Sequence, residues 1–168
     1  MNPSSSFRFT LKLLAVFLLL LFTTLHASAK SPISASKNGV AIDGYDAVAY
    51  FTQGSPVLGS DKFTHRWQGA DWQFVNEKHR DTFAADPEKY APQYGGYCAY
   101  AMSDGGFAAG DGERWRVVDD KLYLNSNWFA EKLWQREIPG NIRDANGHWP
   151  KVQPKLEEIK PGLAVEKP

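Results

Sequence analysis

The chain has 168 residues, 19 Lys+Arg against 19 Asp+Glu, and a single Cys. This length provides one domain with one real hydrophobic core, and zero formal charge argues against nucleic acid, whose phosphates demand a basic stripe. One Cys excludes an intramolecular disulfide framework and any structural zinc centre built from several cysteines of this chain. Six Trp, seven Tyr and ten Phe are too many aromatics for a disordered polymer.

Residues 1–29 stand apart from the rest. Arg8 and Lys12 precede the apolar run Leu13 to Phe22, polar Thr23 and Thr24 follow, and Ala27-Ser28-Ala29 closes the segment. A positive start, a short apolar stretch and small residues at A-x-A spacing are the layout of a secretory signal peptide, with cleavage expected after Ala29. The rival reading is an uncleaved anchor, but the run is shorter than the ~20 residues a spanning helix needs. Removing Arg8 and Lys12 from the 19 basic residues leaves a slightly acidic product. With no second apolar segment, it is expected to be soluble and exported, periplasmic or secreted, with no membrane span after cleavage.

Residues 30–37 are Ser-rich and read as a flexible lead, residues 38–149 as the folded unit, and residues 150–168, with recurring Pro and Lys, as a disordered tail. Val40-Ala41-Ile42 suggests a short strand. Tyr45 to Phe51 has apolar residues at both helical and alternating spacing, so its type stays open. Phe63, His65 and Trp67 alternate with polar residues, Gly69-Ala70-Asp71 makes a turn, and Trp72 to Val75 returns as a hairpin. Asn76 caps a helix over 77–85, and Asp86 with Pro87 starts another turn. Trp115 to Val118, Asp119-Asp120 and Leu122 to Leu124 form a second hairpin. Ser126 or Asn127 caps a helix from Trp128 to about Glu137, with Phe129, Leu133 and Trp134 on one face and Pro139-Gly140 as its end. This order implies an α+β fold, a small single domain of antiparallel hairpins packed with short helices.

Three stretches of this chain are distinctive: Gly44-Tyr45-Asp46-Ala47-Val48-Ala49-Tyr50-Phe51; Phe63 to Phe74 with Trp67-Gln68-Gly69-Ala70; and Phe83 to Ala99, which contains Asp86-Pro87-Glu88-Lys89-Tyr90 and Gly95-Gly96-Tyr97-Cys98-Ala99. Together they resemble the secreted YHS-domain proteins. The resemblance implies a metal-linked history, because YHS domains accompany heavy-metal ATPases and are associated with copper or other soft metals bound through cysteines. In that pattern one Cys follows the strand Phe and another comes four residues later; here those positions are Val75 and His79. The Cys-Gly-Met signature near the domain start is replaced by Tyr45-Asp46-Ala47.

The remaining candidate metal ligands are Cys98, His79, Met102 and His65. Thiolate, thioether and imidazole together suit copper(I), with zinc as the other option. Cys98 and Met102 are four apart and would share a side of a helix. Each residue also has a plainer reading. Cys98 among Tyr97, Ala99 and Tyr100 reads as a small buried hydrophobe, a metal ligand or a reactive thiol. His79 lies among Glu77, Lys78, Arg80 and Asp81 and reads as exposed, whereas His65 shares an inward face with Phe63 and Trp67. Gly105 to Gly112 lacks the Gly-Lys-Ser/Thr ending of a phosphate loop and reads as a loop of close backbone approach. No Gly-x-Ser-x-Gly elbow is present. Asp43, Asp46, Asp104 and Asp111 could line a cleft, with nothing to pair two of them as acid and base. The expectation is therefore a non-enzymatic, exported ligand-binding protein, with a soft metal such as copper as leading ligand. The alternative is an interaction module for a protein or small molecule, using an aromatic surface and the Gly-rich loop.

Overall fold

The computed structural model describes residues 32–158. The expected signal peptide, its cleavage after Ala29 and the last ten residues of the expected tail lie outside the described residues. Among the described residues no helix is long and apolar enough to cross a membrane.

The protein is α+β, as the order of hairpins and helices implies. Among the described residues six α-helices accompany two antiparallel two-stranded sheets: α1 Ala49–Thr52, β1 Ser60–Trp67, β2 Ala70–Phe74, α2 Glu77–Ala85, α3 Pro87–Tyr90, α4 Ala99–Ser103, β3 Asp111–Val118, β4 Lys121–Asn125, α5 Trp128–Trp134 and α6 Ile138–Glu158. Both hairpins close with two-residue turns whose central residues take positive φ, Gln68 (46°) and Gly69 (78°) in the first, Asp119 (49°) and Asp120 (56°) in the second. That geometry matches the twist of paired strands. It also shortens the first turn: Ala70 and Asp71, expected within it, pair with Trp67 and Arg66.

Side-chain capping sets the helix starts. Asn76 Oδ1 accepts from His79 N at 2.8 Å, Asp86 Oδ1 from Lys89 N at 3.3 Å, and Asn127 Oδ1 from Ala130 N at 2.9 Å. Each cap satisfies an amide that the first turn leaves without a helical partner.

Strand β4 divides two apolar clusters. Leu122 and Leu124 join Ile42, Val48, Tyr50, Trp72, Phe74 and Phe83 on one side, while Tyr123 joins Tyr94, Met102, Trp134, Ala145, Val152 and Leu156 on the other. Alternation along the strand makes this division possible, because neighbouring side chains leave opposite faces.

Two expectations fail at the ends of the folded unit. Residues 32–37 are part of the fold: Ile33 is buried in the first cluster, Ser34 N donates to Gly95 O at 2.8 Å, and Ala35 pairs with Ala41. One apolar residue, Ile33, together with backbone pairing, outweighs the Ser-rich composition. At the other end, the expected disordered tail is helical through Glu158. Ala145, Val152 and Leu156 are buried and Trp149 packs beside them, an i, i+4, i+7, i+11 stripe. Pro139 falls in the first turn, where its missing N–H costs little. Pro150 and Pro154 lie four apart on the solvent side, so they remove amides without entering the packed face.

Val40-Ala41-Ile42 forms isolated bridges rather than a strand. Ile42, Asp43 and Gly44 take successive positive φ of 43°, 55° and 84°, as do Tyr94, Gly95 and Gly96 at 57°, 61° and 82°. A β-branched residue such as Ile42 is rare there. The two turns pack together: a Cβ on Gly96 would lie 2.8 Å from Ile42 Cγ2, and one on Gly95 would lie 2.1 Å from the Pro32 carbonyl oxygen. Glycine is the residue that both the angle and the space allow at 95 and 96.

Candidate functional site

The Asp46 side chain, next to Ala47 and Val48 of the first cluster, makes four hydrogen bonds. Its carboxylate is fully buried, and both oxygens are used twice. Oδ1 accepts from Val48 N at 2.8 Å and Ala49 N at 3.1 Å, which opens α1. Oδ2 accepts from Val75 N at 2.9 Å and from His79 Nδ1 at 2.7 Å. Asp46 therefore pins α1 to the junction between β2 and α2. The aspartate that sequence left unpaired has a histidine partner 33 residues away.

His79 is 9% exposed, against the expectation of an exposed histidine on a charged helix. The charges of Glu77, Arg80 and Asp81 pair with one another on the outer side of α2, and the ring turns inward to Asp46. Val75 and His79, the two positions that the resemblance aligns with cysteines, are thus both held by one carboxylate. With Nδ1 engaged, Nε2 is the ring nitrogen left for a ligand. An imidazole braced by a carboxylate is how metal-bound histidines are oriented, but a metal centre needs further donors.

The other three candidates do not supply them. Cys98 is fully buried as the residue that caps α4: its sulfur accepts from Ala101 N at 3.5 Å, and its thiol faces Asn125 Oδ1 at 3.7 Å. Met102 is buried in the second cluster and donates its backbone N–H to Cys98 O at 3.0 Å. His65 is half-buried on β1 and packs edge-on against Phe83, ring centroids 6.0 Å apart. Among the described residues no group of three or more His, Cys, Asp or Glu side chains could hold a metal ion. Of the four candidates, His79 on α2 bonds to Asp46, whereas Met102 on α4 packs in the second cluster.

Tyrosines and glycines of the motifs are likewise engaged. Tyr50 Oη donates to Gly112 O at 2.8 Å and Tyr45 Oη to Glu113 Oε1 at 3.1 Å. Burial raises the Tyr50 and Tyr94 phenols well above 10.0, their ordinary value, and burial followed by Glu113 raises Tyr45. In the Gly-rich loop a Cβ on Gly110 would lie 2.3 Å from Gly96 O, and one on Gly112 would lie 2.3 Å from the Tyr45 ring. Those glycines permit close backbone packing.

Among the described residues Leu58, Trp128 and Phe129 are the exposed large hydrophobic side chains, and the last two are adjacent. Trp128 and Phe129, consecutive at the start of α5, are 59% and 64% exposed. Sequence spacing placed Phe129 on an inward face with Leu133 and Trp134. Instead the buried face of α5 is Ala130, Glu131 and Trp134. Glu131 takes the inward position because its carboxylate accepts from Gln135 Nε2 at 2.9 Å and lies 3.7 Å from Arg116 and 4.0 Å from Arg114 of β3. Spacing alone could not show that a charged residue would displace an aromatic one.

Comparison with known proteins finds no matching family model, no matching curated protein and no matching solved structure.

Proposed function

We propose that this chain is an exported, non-enzymatic binding module of the YHS type that docks a partner protein through Trp128 and Phe129. The observation that carries this reading is the pair itself: two adjacent large aromatics, each more than half exposed, on a helix anchored from behind by Trp134 and Glu131. Rigidly presented Trp and neighbouring aromatics are the residue types that dominate protein–protein binding energy, because they remove much apolar area from water at small cost in side-chain entropy.

Soft-metal binding is the weaker reading. His79 offers one nitrogen, and the Cys98 sulfur is occupied within the cap of α4.

Site-specific photocrosslinking separates the two. A photoreactive residue at Phe129 yields a discrete adduct in cells expressing the chain, Trp128→Ser abolishes it, and the same residue at exposed Lys121 yields none. Adducts that are equal at 129 and 121, or indifferent to Trp128→Ser, would refute docking at this face.

A further inference from the structure

Two buried hydrogen-bond donors find no acceptor among the described residues: Asn125 Nδ2 at the end of β4 and Trp134 Nε1 in the second cluster. Both side chains are fully buried, with 0% exposure. Buried polar groups in folded proteins are nearly always paired, so two orphaned donors on one side of one strand require an explanation.

Tyr123 connects them. Asn125 is two residues from Tyr123 in β4, so it leaves the same face, opposite to Leu122 and Leu124. The Tyr123 ring lies against the Trp134 ring, centroids 5.3 Å apart. The orientation of the Asn125 amide is fixed by its oxygen, which accepts from Tyr100 N at 3.2 Å and faces the Cys98 thiol at 3.7 Å. Exchanging oxygen and nitrogen would set the amide NH2 against the Tyr100 N–H. Nδ2 is therefore turned from the start of α4 into the space that β4 shares with α4 and α5, two elements that also touch each other.

The chemistry selects the occupant. Amide and indole N–H groups are both neutral donors, and the surrounding cluster is apolar, with Met102, Ala99 and Tyr123. No Lys or Arg is among the described buried residues. An anion would be stranded without a cation, whereas water has two lone pairs to accept from two donors and is the usual guest of such polar sites.

We infer that Asn125 Nδ2 and Trp134 Nε1 jointly bind one internal water molecule, sealed between β4, α4 and α5. This water links the amide that supports the cap of α4 to the residue that ends α5. The site is independent of any docking role for Trp128 and Phe129.

A crystal structure of the purified chain that resolves ordered solvent tests the site. It is expected to show one water peak about 2.7–3.2 Å from both nitrogens. In solution the Trp134 indole proton, assigned as the signal that Trp134→Phe removes, should give a direct cross-peak to water protons. Separate peaks at the two nitrogens, no peak at either, density for an ion or organic molecule, or an indole proton without a water cross-peak would each overturn the inference.

Discussion

The His79 imidazole and the Asp46 carboxylate meet at 2.7 Å, joining the start of α1 to the first turn of α2. The carboxylate also accepts three backbone N–H groups, so it is fully satisfied although no water reaches it. Charge-assisted bonds of this kind are the strong ones, and an unsatisfied buried carboxylate is costly. The arrangement makes Asp46 an architectural residue of the Gly44 to Phe51 motif.

Replacing Asp46 with Ala should therefore be severe. It leaves the Val48, Ala49, Val75 and His79 donors without their acceptor in a closed site, and removing one partner of a buried pair costs about 3–5 kcal/mol. Urea denaturation is the measurement, with His79→Gln expected to cost less because Asp46 Oδ2 keeps the Val75 N–H.

Glycine substitutions should split by sign. Gly95→Ala places a Cβ against the Pro32 carbonyl at a φ of 61°, and a loss of at least about 2 kcal/mol is expected. Gly147→Ala meets nothing within 4 Å in the middle of α6 and should gain about 0.5–1 kcal/mol. Thermal melts of the two variants should move in opposite directions.

Much of this fold was legible beforehand. Turn and cap chemistry at Asn76, Asp86 and Asp119-Asp120 is local, so it located α2, α3 and the second hairpin from a few residues each. Long-range relations were not: nothing in the spacing of Asp46 and His79 announces a bond across 33 residues. Helix α6 was hidden by Pro150 and Pro154, whose breaking tendency matters only on a packed face, and they lie on the open one. The candidate metal set draws on residue type alone. Residue type shows what Cys98 and His79 could bind, whereas the fold had already given them to Ala101, Asn125 and Asp46.

The packed face of α6 makes its own prediction. Leu156→Ala removes a 5% exposed side chain from the second cluster and should cost about 2 kcal/mol, whereas exposed Lys155→Ala should change stability by less than about 0.5 kcal/mol. A disordered tail would make the two variants indistinguishable in denaturant titrations.

Alkaline pH should unfold the protein through its buried tyrosines. The native state holds the Tyr50 and Tyr94 protons above pH 10, whereas the unfolded chain releases them from about 10. The native state then binds more protons, so stability is flat below pH 10 and falls above it, by up to about 1.4 kcal/mol per pH unit for each tyrosine. Denaturation midpoints across pH 8–12 measure the slope. Tyr50→Phe, despite losing the bond to Gly112 O, should make it shallower.

Cys98 and His79 are engaged within the fold, through Ala101, Asn125 and Asp46. Titration of the reduced, purified chain with Cu(I) against a competing chelator tests that engagement most directly. No stoichiometric complex is expected, and no difference between the native chain and Cys98→Ser. One equivalent of tightly held copper, lost in Cys98→Ser or His79→Gln, would contradict it.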